Sequence, residues 1–213
     1  MKKHIIIAVV ILVLVVGIGV GWYFSKNKTA PNGLNQNQNL AAQVNNQPDL
    51  ANQPVASEDH PLIKDDFSIL LPQGWQEVAP AMAGVTLSVI DTTGDYSDPA
   101  VQKINFKNNY NVAHDQLKGR NLDEYRDYVK GIVKQIAPDV VFSSEGMLAI
   151  NGQESRIFEG EMNKQGVDIH FMTFLIQGKN NDMWNVSFNS LKSDWNKNAL
   201  LFGRIGNSFQ VIK

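Results

Sequence analysis

Residues 150–177, INGQESRIFEGEMNKQGVDIHFMTFLIQ, hold two apolar-rich runs joined by short polar segments. Asn151-Gly152 is a strong signal for a two-residue hairpin turn, and Asn163-Lys164-Gln165-Gly166 suits the next connection. The second run presents two apolar faces, which consist of Ile169, Phe171 and Leu175 on one side and Met172, Phe174 and Ile176 on the other. Because side chains alternate across a strand, this run predicts an antiparallel sheet that is covered on both faces.

The same kind of pattern extends outward from this stretch. Strands are predicted at 66–71, 84–90, 101–106, 140–150, 153–162, 167–177 and 183–191. A helix is predicted at 122–136, because Asn121 and Glu124 have the spacing of a capping box and apolar residues then recur at helical intervals. A second helix is predicted near 194–208, with an apolar stripe on one side. The fold class is therefore α+β, an antiparallel meander sandwiched between helices.

A more specific motif opens this region, where residues 67–75 read FSILLPQGW. Pro72 and Gly74 are expected to end the strand and turn the chain, with Trp75 as a packing anchor. Together with MWNVSF at 183–188 and the terminal apolar helix, this motif resembles the start and end of PsbP-like domains, a superfamily that also contains bacterial envelope lipoproteins of the DcrB type. The resemblance covers nearly all of residues 61–213. It implies a central antiparallel sheet between helices and a role in assembly or partner binding, with no family-wide catalytic residues.

The N-terminal part is predicted to be a membrane anchor and a tether. Ile5 to Phe24 are twenty residues without a charge, and as a helix they would be about 30 Å long, enough to cross a bilayer. Residues 1–28 are therefore expected to form a transmembrane anchor in the lipid bilayer, with a cleaved signal peptide as the alternative. In residues 29–60, Asn or Gln occupies twelve of the positions 32 to 53, which predicts a flexible linker. Residues 61–213 form the globular domain, which is expected to lie outside the cytoplasm at the cell membrane.

Composition excludes several classes of function. The 213 residues carry 19 Lys and Arg against 21 Asp and Glu, and this balance gives no basic face for nucleic acid. The chain has no cysteine, which excludes disulfides, thiolate catalysis and cysteine-ligated zinc. The signatures of a nucleophile elbow, a phosphate-binding loop and a zinc protease helix are also missing. No catalytic residue, cofactor site or metal site is therefore assigned from the sequence.

Four weaker patterns remain as candidates for a site. Asp91, Asp95 and Asp98 fall in one loop and would supply oxygen ligands to calcium, although a solvated loop has the same composition. Glu154, Glu159 and Glu161 fall in one predicted hairpin, and Glu159 and Glu161 share one face of a strand. We interpret them as charge on an exposed edge rather than as paired carboxylates for acid–base catalysis. His170 is interpreted as an internally satisfied histidine. Two aromatic residues in polar segments, Tyr96 and Tyr110, are the better candidates for an interface.

The sequence thus leads to a non-catalytic binding or assembly module of the cell envelope, with an envelope protein as its expected partner. A small-molecule or calcium carrier is the alternative, and a hydrolase without a known signature is a third hypothesis. The identity of the partner is left open.

Overall fold

The computed structural model describes residues 59–212, which fold around one central sheet. The strands are β1 (His60–Ile63), β2 (Phe67–Leu71), β3 (Trp75–Val78), β4 (Val85–Asp91), β5 (Asn109–Gln116), β6 (Val141–Ile150), β7 (Gln153–Lys164), β8 (Val167–Gln177), β9 (Asp182–Leu191) and β10 (Gln210–Val211). The helices are α1 (Pro99–Lys103), α2 (Leu122–Ile136) and α3 (Trp195–Asn207). The structure is thus a mostly antiparallel β fold with few helices.

The strands form two sheets. The large sheet has seven strands in the order β3-β4-β5-β9-β8-β7-β6, and each pair is antiparallel. The small sheet has the order β1-β2-β10, so that the C-terminal strand pairs with a strand near the start of the domain. In the large sheet, β6 and β3 are the two edge strands. β7 and β8 lie inside the sheet and are its longest strands.

Two apolar cores lie on opposite faces of the large sheet. On one face, α1 and α2 pack through side chains such as Val101, Tyr125 and Val133 onto Phe171 and Leu175 of β8. On the other face, α3 and the small sheet pack onto the remaining side chains of the same strands. The alternation predicted for β8 is therefore confirmed, because its two sets of apolar side chains belong to different cores. The second face is covered by α3 and the small sheet together, and not by a helix alone.

Local chemistry explains why the predicted turns and helices form. Asn151 and Gly152 both have positive φ, 48° and 78°, as the hairpin between β6 and β7 requires. At the start of α2, Asn121 Oδ1 accepts a hydrogen bond from Glu124 N, and Glu124 Oε2 accepts one from Asn121 N, each at 2.9 Å. Gly74 has φ of 75° in the turn that places Trp75 against the core. The meander, the two long helices and this turn are confirmed.

The strand predicted at 101–106 is wrong, because this segment begins as helix α1. Pro99 stands at the first turn of the helix, and Asp98 Oδ1 accepts hydrogen bonds from Ala100 N and Val101 N at 2.7 and 3.2 Å. A capping aspartate followed by proline starts a helix and outweighs the short apolar alternation of the following residues. The adjacent strand instead begins at Asn109.

The predicted anchor and linker lie outside the described residues, except that β1 begins at His60 within the segment 29–60. Within residues 59–212, no helix is both long and apolar enough to cross a membrane.

Candidate functional site

A groove opens at one end of the large sheet. It is bounded by the loop before α1, by the turn between β7 and β8, and by the segment between β9 and α3, and its volume is about 850 Å³. Its polar lining includes Asp95, Ser97, Asp98, Asp168, Lys192, Ser193 and Asp194. Ala100, Val101, Val167 and Leu191 add apolar surface. The mixture suits a ligand or partner segment with both polar and apolar groups.

The groove has an excess of negative charge. Four aspartates line it against one lysine, and Lys192 Nζ donates to Glu161 Oε2 at 2.6 Å. This hydrogen bond raises the pKa of Lys192 and keeps the lysine charged beside the glutamate. Lys192 also interacts with the charge of Asp168, but it is paired with Glu161, so one lysine offsets only a small part of the negative charge of the four aspartates. The groove therefore favours a cationic group over an anionic one.

The three loop aspartates considered as calcium ligands, Asp91, Asp95 and Asp98, have different roles in the structure. Asp91 is buried and accepts hydrogen bonds from Thr93 N, Thr93 Oγ1 and the Tyr96 hydroxyl at 2.7 to 2.8 Å. Asp95 Oδ1 accepts from Ser97 N at 3.0 Å, and Asp98 caps α1. Within residues 59–212, no group of three or more acidic, histidine or cysteine side chains is arranged to hold a metal ion. Asp95 and Asp98 line the groove, whereas Asp91 stabilises the loop from inside.

Burial alone would raise the pKa of Asp91, but its hydrogen bonds with Thr93 and Tyr96 outweigh burial and hold the pKa below its usual range. The pKa of Tyr96 is raised by burial and by the neighbouring Asp91 carboxylate. The Tyr96 hydroxyl also accepts a hydrogen bond from Asn108 N at 3.1 Å. Tyr96 therefore stabilises the loop before α1, between the groove residues Asp95 and Ser97. It is half-buried, and its role in an interface stays a prediction.

Tyr110 was expected in a polar loop, and this expectation is wrong. It lies in β5 and is fully buried, with its hydroxyl donating to Leu70 O at 2.9 Å. The bond joins the large sheet to β2 of the small sheet. The lysine and asparagine residues before Tyr110 made the segment look like a loop, but Tyr110 pairs with Phe188 of β9 inside the sheet.

A buried polar cluster lies beneath the start of α3. His170 of β8 has its Nε2 atom 3.2 Å from Glu159 Oε2 and its Nδ1 atom 3.4 Å from Glu161 Oε1. Its ring stacks on Trp195 of α3, with the ring centroids 3.6 Å apart. Glu159 is only 3% exposed, so its interpretation as charge on an exposed edge is wrong. The expectation of an internally satisfied His170 is confirmed.

This cluster has the residue types of a hydrolase but not the geometry. Ser190 lies opposite His170 in the β8–β9 pair, yet both nitrogens of His170 face carboxylates. The Ser190 hydroxyl donates to Leu191 O at 3.0 Å and accepts from Asn198 Nδ2 at 3.0 Å. A nucleophilic serine needs a free base nitrogen and an exposed oxygen, and Ser190 is fully buried. The cluster therefore fixes the position of α3 and does not activate a nucleophile.

The groove residues Asp168, Lys192 and Asp194 had no signal in the sequence. Each lies in or beside a turn, in a segment whose polar composition is typical of solvated loops. They come together because β8 and β9 are neighbours in the sheet and because the loop before α1 folds over the same end. Only the strand order, which is a long-range property, reveals their proximity.

No protein-family model and no curated protein sequence matches the chain. Solved structures do share its fold. The cyanobacterial PsbP protein CyanoP from Synechocystis sp. PCC 6803 is 14% identical, with a TM-score of 0.56 over 74% of this chain and 94% of that one. LpqN of Mycobacterium tuberculosis, described as involved in cell envelope biogenesis, is 11% identical, with a TM-score of 0.54 over 83% of this chain and 99% of that one.

A third similar structure is the Ran-binding protein Mog1p of Saccharomyces cerevisiae, which is 10% identical, with a TM-score of 0.52 over 73% of this chain and 96% of that one. Identities this low establish the fold alone. The domain has a PsbP-like fold, as the resemblance in the sequence implied.

Proposed function

We propose that the chain is a non-catalytic binding or assembly module of the cell envelope, which residues 5–24 anchor in the membrane and whose folded domain lies outside the cytoplasm. The domain would bind a protein partner through the acidic groove. One observation carries this proposal. His170 and its two glutamates, Glu159 and Glu161, pair with one another beneath α3, whereas the groove of about 850 Å³ is open.

The charge of the groove indicates what kind of segment it would accept. Asp95, Asp98, Asp168 and Asp194 present carboxylates around a floor that includes Val101 and Leu191. A partner segment with lysine or arginine beside an apolar side chain satisfies both features. LpqN, which shares the fold, is described as involved in cell envelope biogenesis, and this supports an envelope role without assigning one.

The anchor is supported by composition. Ile5 to Phe24 contain no charged residue and are followed by a linker poor in apolar side chains. Membrane fractions washed with carbonate test this part of the proposal. The full chain should stay with the membranes, and protease added to intact spheroplasts should digest the domain. A chain that is released by carbonate, or protected from protease, contradicts the anchored extracytoplasmic arrangement.

Affinity purification from crosslinked membranes tests partner binding. The full chain should enrich a partner over a control that retains residues 1–60 and lacks the domain. The groove variant Asp95→Asn/Asp168→Asn should lose most of this enrichment, because two of the four carboxylates become neutral. Enrichment that survives in this variant excludes the groove as the binding surface, and no enrichment over the domain-deleted control contradicts the proposed function.

A small-molecule or ion carrier is the second candidate, and the volume and negative charge of the same groove favour it. Thermal unfolding of the full chain in detergent would separate the two, measured with calcium, with polyamines and with a metabolite panel. A carrier is supported if a cationic small molecule raises Tm by several degrees and this increase is lost in Asp95→Asn/Asp168→Asn. A flat response across the panel eliminates it.

A further inference from the structure

We propose that the β6 edge of the large sheet pairs with the β6 edge of a second copy of this chain, antiparallel and around a two-fold axis at Met147. This interface is separate from the groove and independent of what the groove binds. Its partner is the same chain, and its product would be one continuous sheet of fourteen strands.

The two edges of the large sheet differ in how they meet solvent. The β3 edge is only four residues long, carries Gln76 and Glu77, and is followed by Pro80. These are the usual means by which proteins block pairing at an edge. The β6 edge is ten residues long and contains neither lysine nor arginine nor proline. Apart from a bulge near its start, it therefore exposes a row of backbone donors and acceptors that no other strand within residues 59–212 pairs with.

The side chains of the β6 edge are unusually apolar for a free edge. Met147 is 71% exposed and Val141 is 65% exposed. Glu145 is the one charged residue of the strand, and Lys130 and Arg126 of α2 neutralise it, with Lys130 Nζ 2.5 Å from Glu145 Oε2. A second strand would therefore meet Glu145 in an ion-paired state. Lys134 of α2 also reaches this edge, with its Nζ atom 5.8 Å from the Phe142 ring, but Phe142 lies at the start of the strand, before Ser144.

A bulge limits which residues can pair. The register between β6 and β7 shifts between Phe142 and Ser144, so that residues 144–150 form the regular part of the strand. Antiparallel self-pairing of this part about Met147 places Glu145 opposite Ala149, Gly146 opposite Leu148 and Ser144 opposite Ile150 of the second copy. No like charges face each other in this register.

The side chains of the two paired β6 strands would also be complementary in shape. Gly146 and Leu148 lie on the face covered by α3, where Leu148 packs against the apolar core. A Cβ atom added at Gly146 would meet only Ile157 Cγ2, at 3.4 Å. The leucine of each copy can therefore lie over the glycine of the other. On the opposite face the two Met147 side chains meet at the axis, and both lose their exposure to water.

The absence of cysteine in the chain gives a direct test in membranes that contain the full-length protein. In Met147→Cys, the two cysteines would stand directly opposite each other, with Cβ atoms about 5 Å apart, near disulfide range. In Ala149→Cys, the corresponding atoms would lie roughly 13 Å apart along the strands, beyond disulfide range. Leu200→Cys, on the exposed side of α3, is a control for random collision.

After mild oxidation, Met147→Cys should give a disulfide-linked dimer in several-fold excess over both controls. Differently tagged Glu145→Cys and Ala149→Cys chains should crosslink when they are expressed together, although neither does so alone. This second result requires the proposed register, and contact between the membrane segments cannot produce it. The proposal is overturned if Met147→Cys reacts with a soluble thiol reagent but stays monomeric, or if all three single variants crosslink equally.

Discussion

His170 and Trp195 stack with their ring centroids 3.6 Å apart, and this contact joins the interior of β8 to the first residue of α3. Glu159 Oε2 lies 3.2 Å from Nε2 of the same imidazole, and Glu159 is almost fully buried. The polar pair is therefore part of what holds α3 on the sheet. It lies beside the groove, because Lys192 joins Glu161 of this cluster to the groove wall.

His170→Ala should lower the free energy of unfolding by about 1–3 kcal/mol, because it leaves the buried Glu159 without this hydrogen-bond partner. Adding Glu159→Gln to this variant should restore part of the loss, since a neutral amide is less costly to bury than a charge. Urea denaturation of the variants measures both effects. His114→Ala is the matched control, because the side chain of His114 is 38% exposed and should contribute less than about 1 kcal/mol. Equal stability of the single and double variants contradicts this account.

Gly206→Ala should destabilise the domain by about 1–3 kcal/mol, because α3 approaches β8 too closely for a side chain. A Cβ atom at Gly206 would lie 2.7 Å from the ring of Phe174. Gly131→Ala, in the middle of α2, is the opposite case, since nothing lies within 4 Å of the added atom. There alanine should stabilise the helix by up to about 1 kcal/mol. Thermal unfolding compares the two variants. If Gly206→Ala leaves the stability of the domain unchanged, α3 does not pack against Phe174 as described.

Asp91 should make stability dependent on acid pH. Its folded pKa is lower than the usual value of 3.8, so its contribution is present above about pH 4 and is lost as the pH falls through the folded pKa. Asp91→Asn cannot titrate and cannot accept a hydrogen bond from both Thr93 and Tyr96. It should be less stable than the parent at pH 7, by about 1–2 kcal/mol, and should lose less stability between pH 5 and pH 2.5.

Denaturation at a series of pH values tests this expectation, and Thr93→Val provides an intermediate case. This variant keeps the carboxylate and removes only the hydroxyl donor, so it should retain most of the acid dependence. An acid dependence in Asp91→Asn as steep as in the parent would assign the effect to other carboxylates.

The sequence was informative where local chemistry decides structure. The asparagine–glycine turn at 151–152, the capping box at Asn121 and Glu124, and the doubly apolar strand at 167–177 each depend on neighbours in the chain. Long-range pairing was not visible in this way. β10 is only two residues long and exists because it pairs with Phe67 and Ser68, about 140 residues earlier. Glu159 is likewise buried beside His170 of the neighbouring strand β8, a contact that its neighbours in β7 do not indicate.

The residues of the groove show the same difference between local patterns and long-range contacts. Asp95 and Asp98 were recognised as candidates because they lie in one acidic loop, but the pattern suggested ligands for one ion. Their partners in the groove, Asp168 and Asp194, are at least 70 residues away in the chain and carry no local signature. The segment at 101–106 shows a further difficulty, since its short apolar alternation predicts a strand although Asp98 and Pro99 begin a helix.

The central claim is that the acidic groove is a binding surface, and site-specific photo-crosslinking in membranes tests it most directly. A photoreactive amino acid replaces Ser193 in the groove wall or, as a control, Gln76 on the far edge of the sheet. The account predicts a discrete adduct from position 193 that is absent from position 76 and is strongly reduced by Asp95→Asn/Asp168→Asn. No adduct above the control, or an adduct that these substitutions leave unchanged, would contradict it.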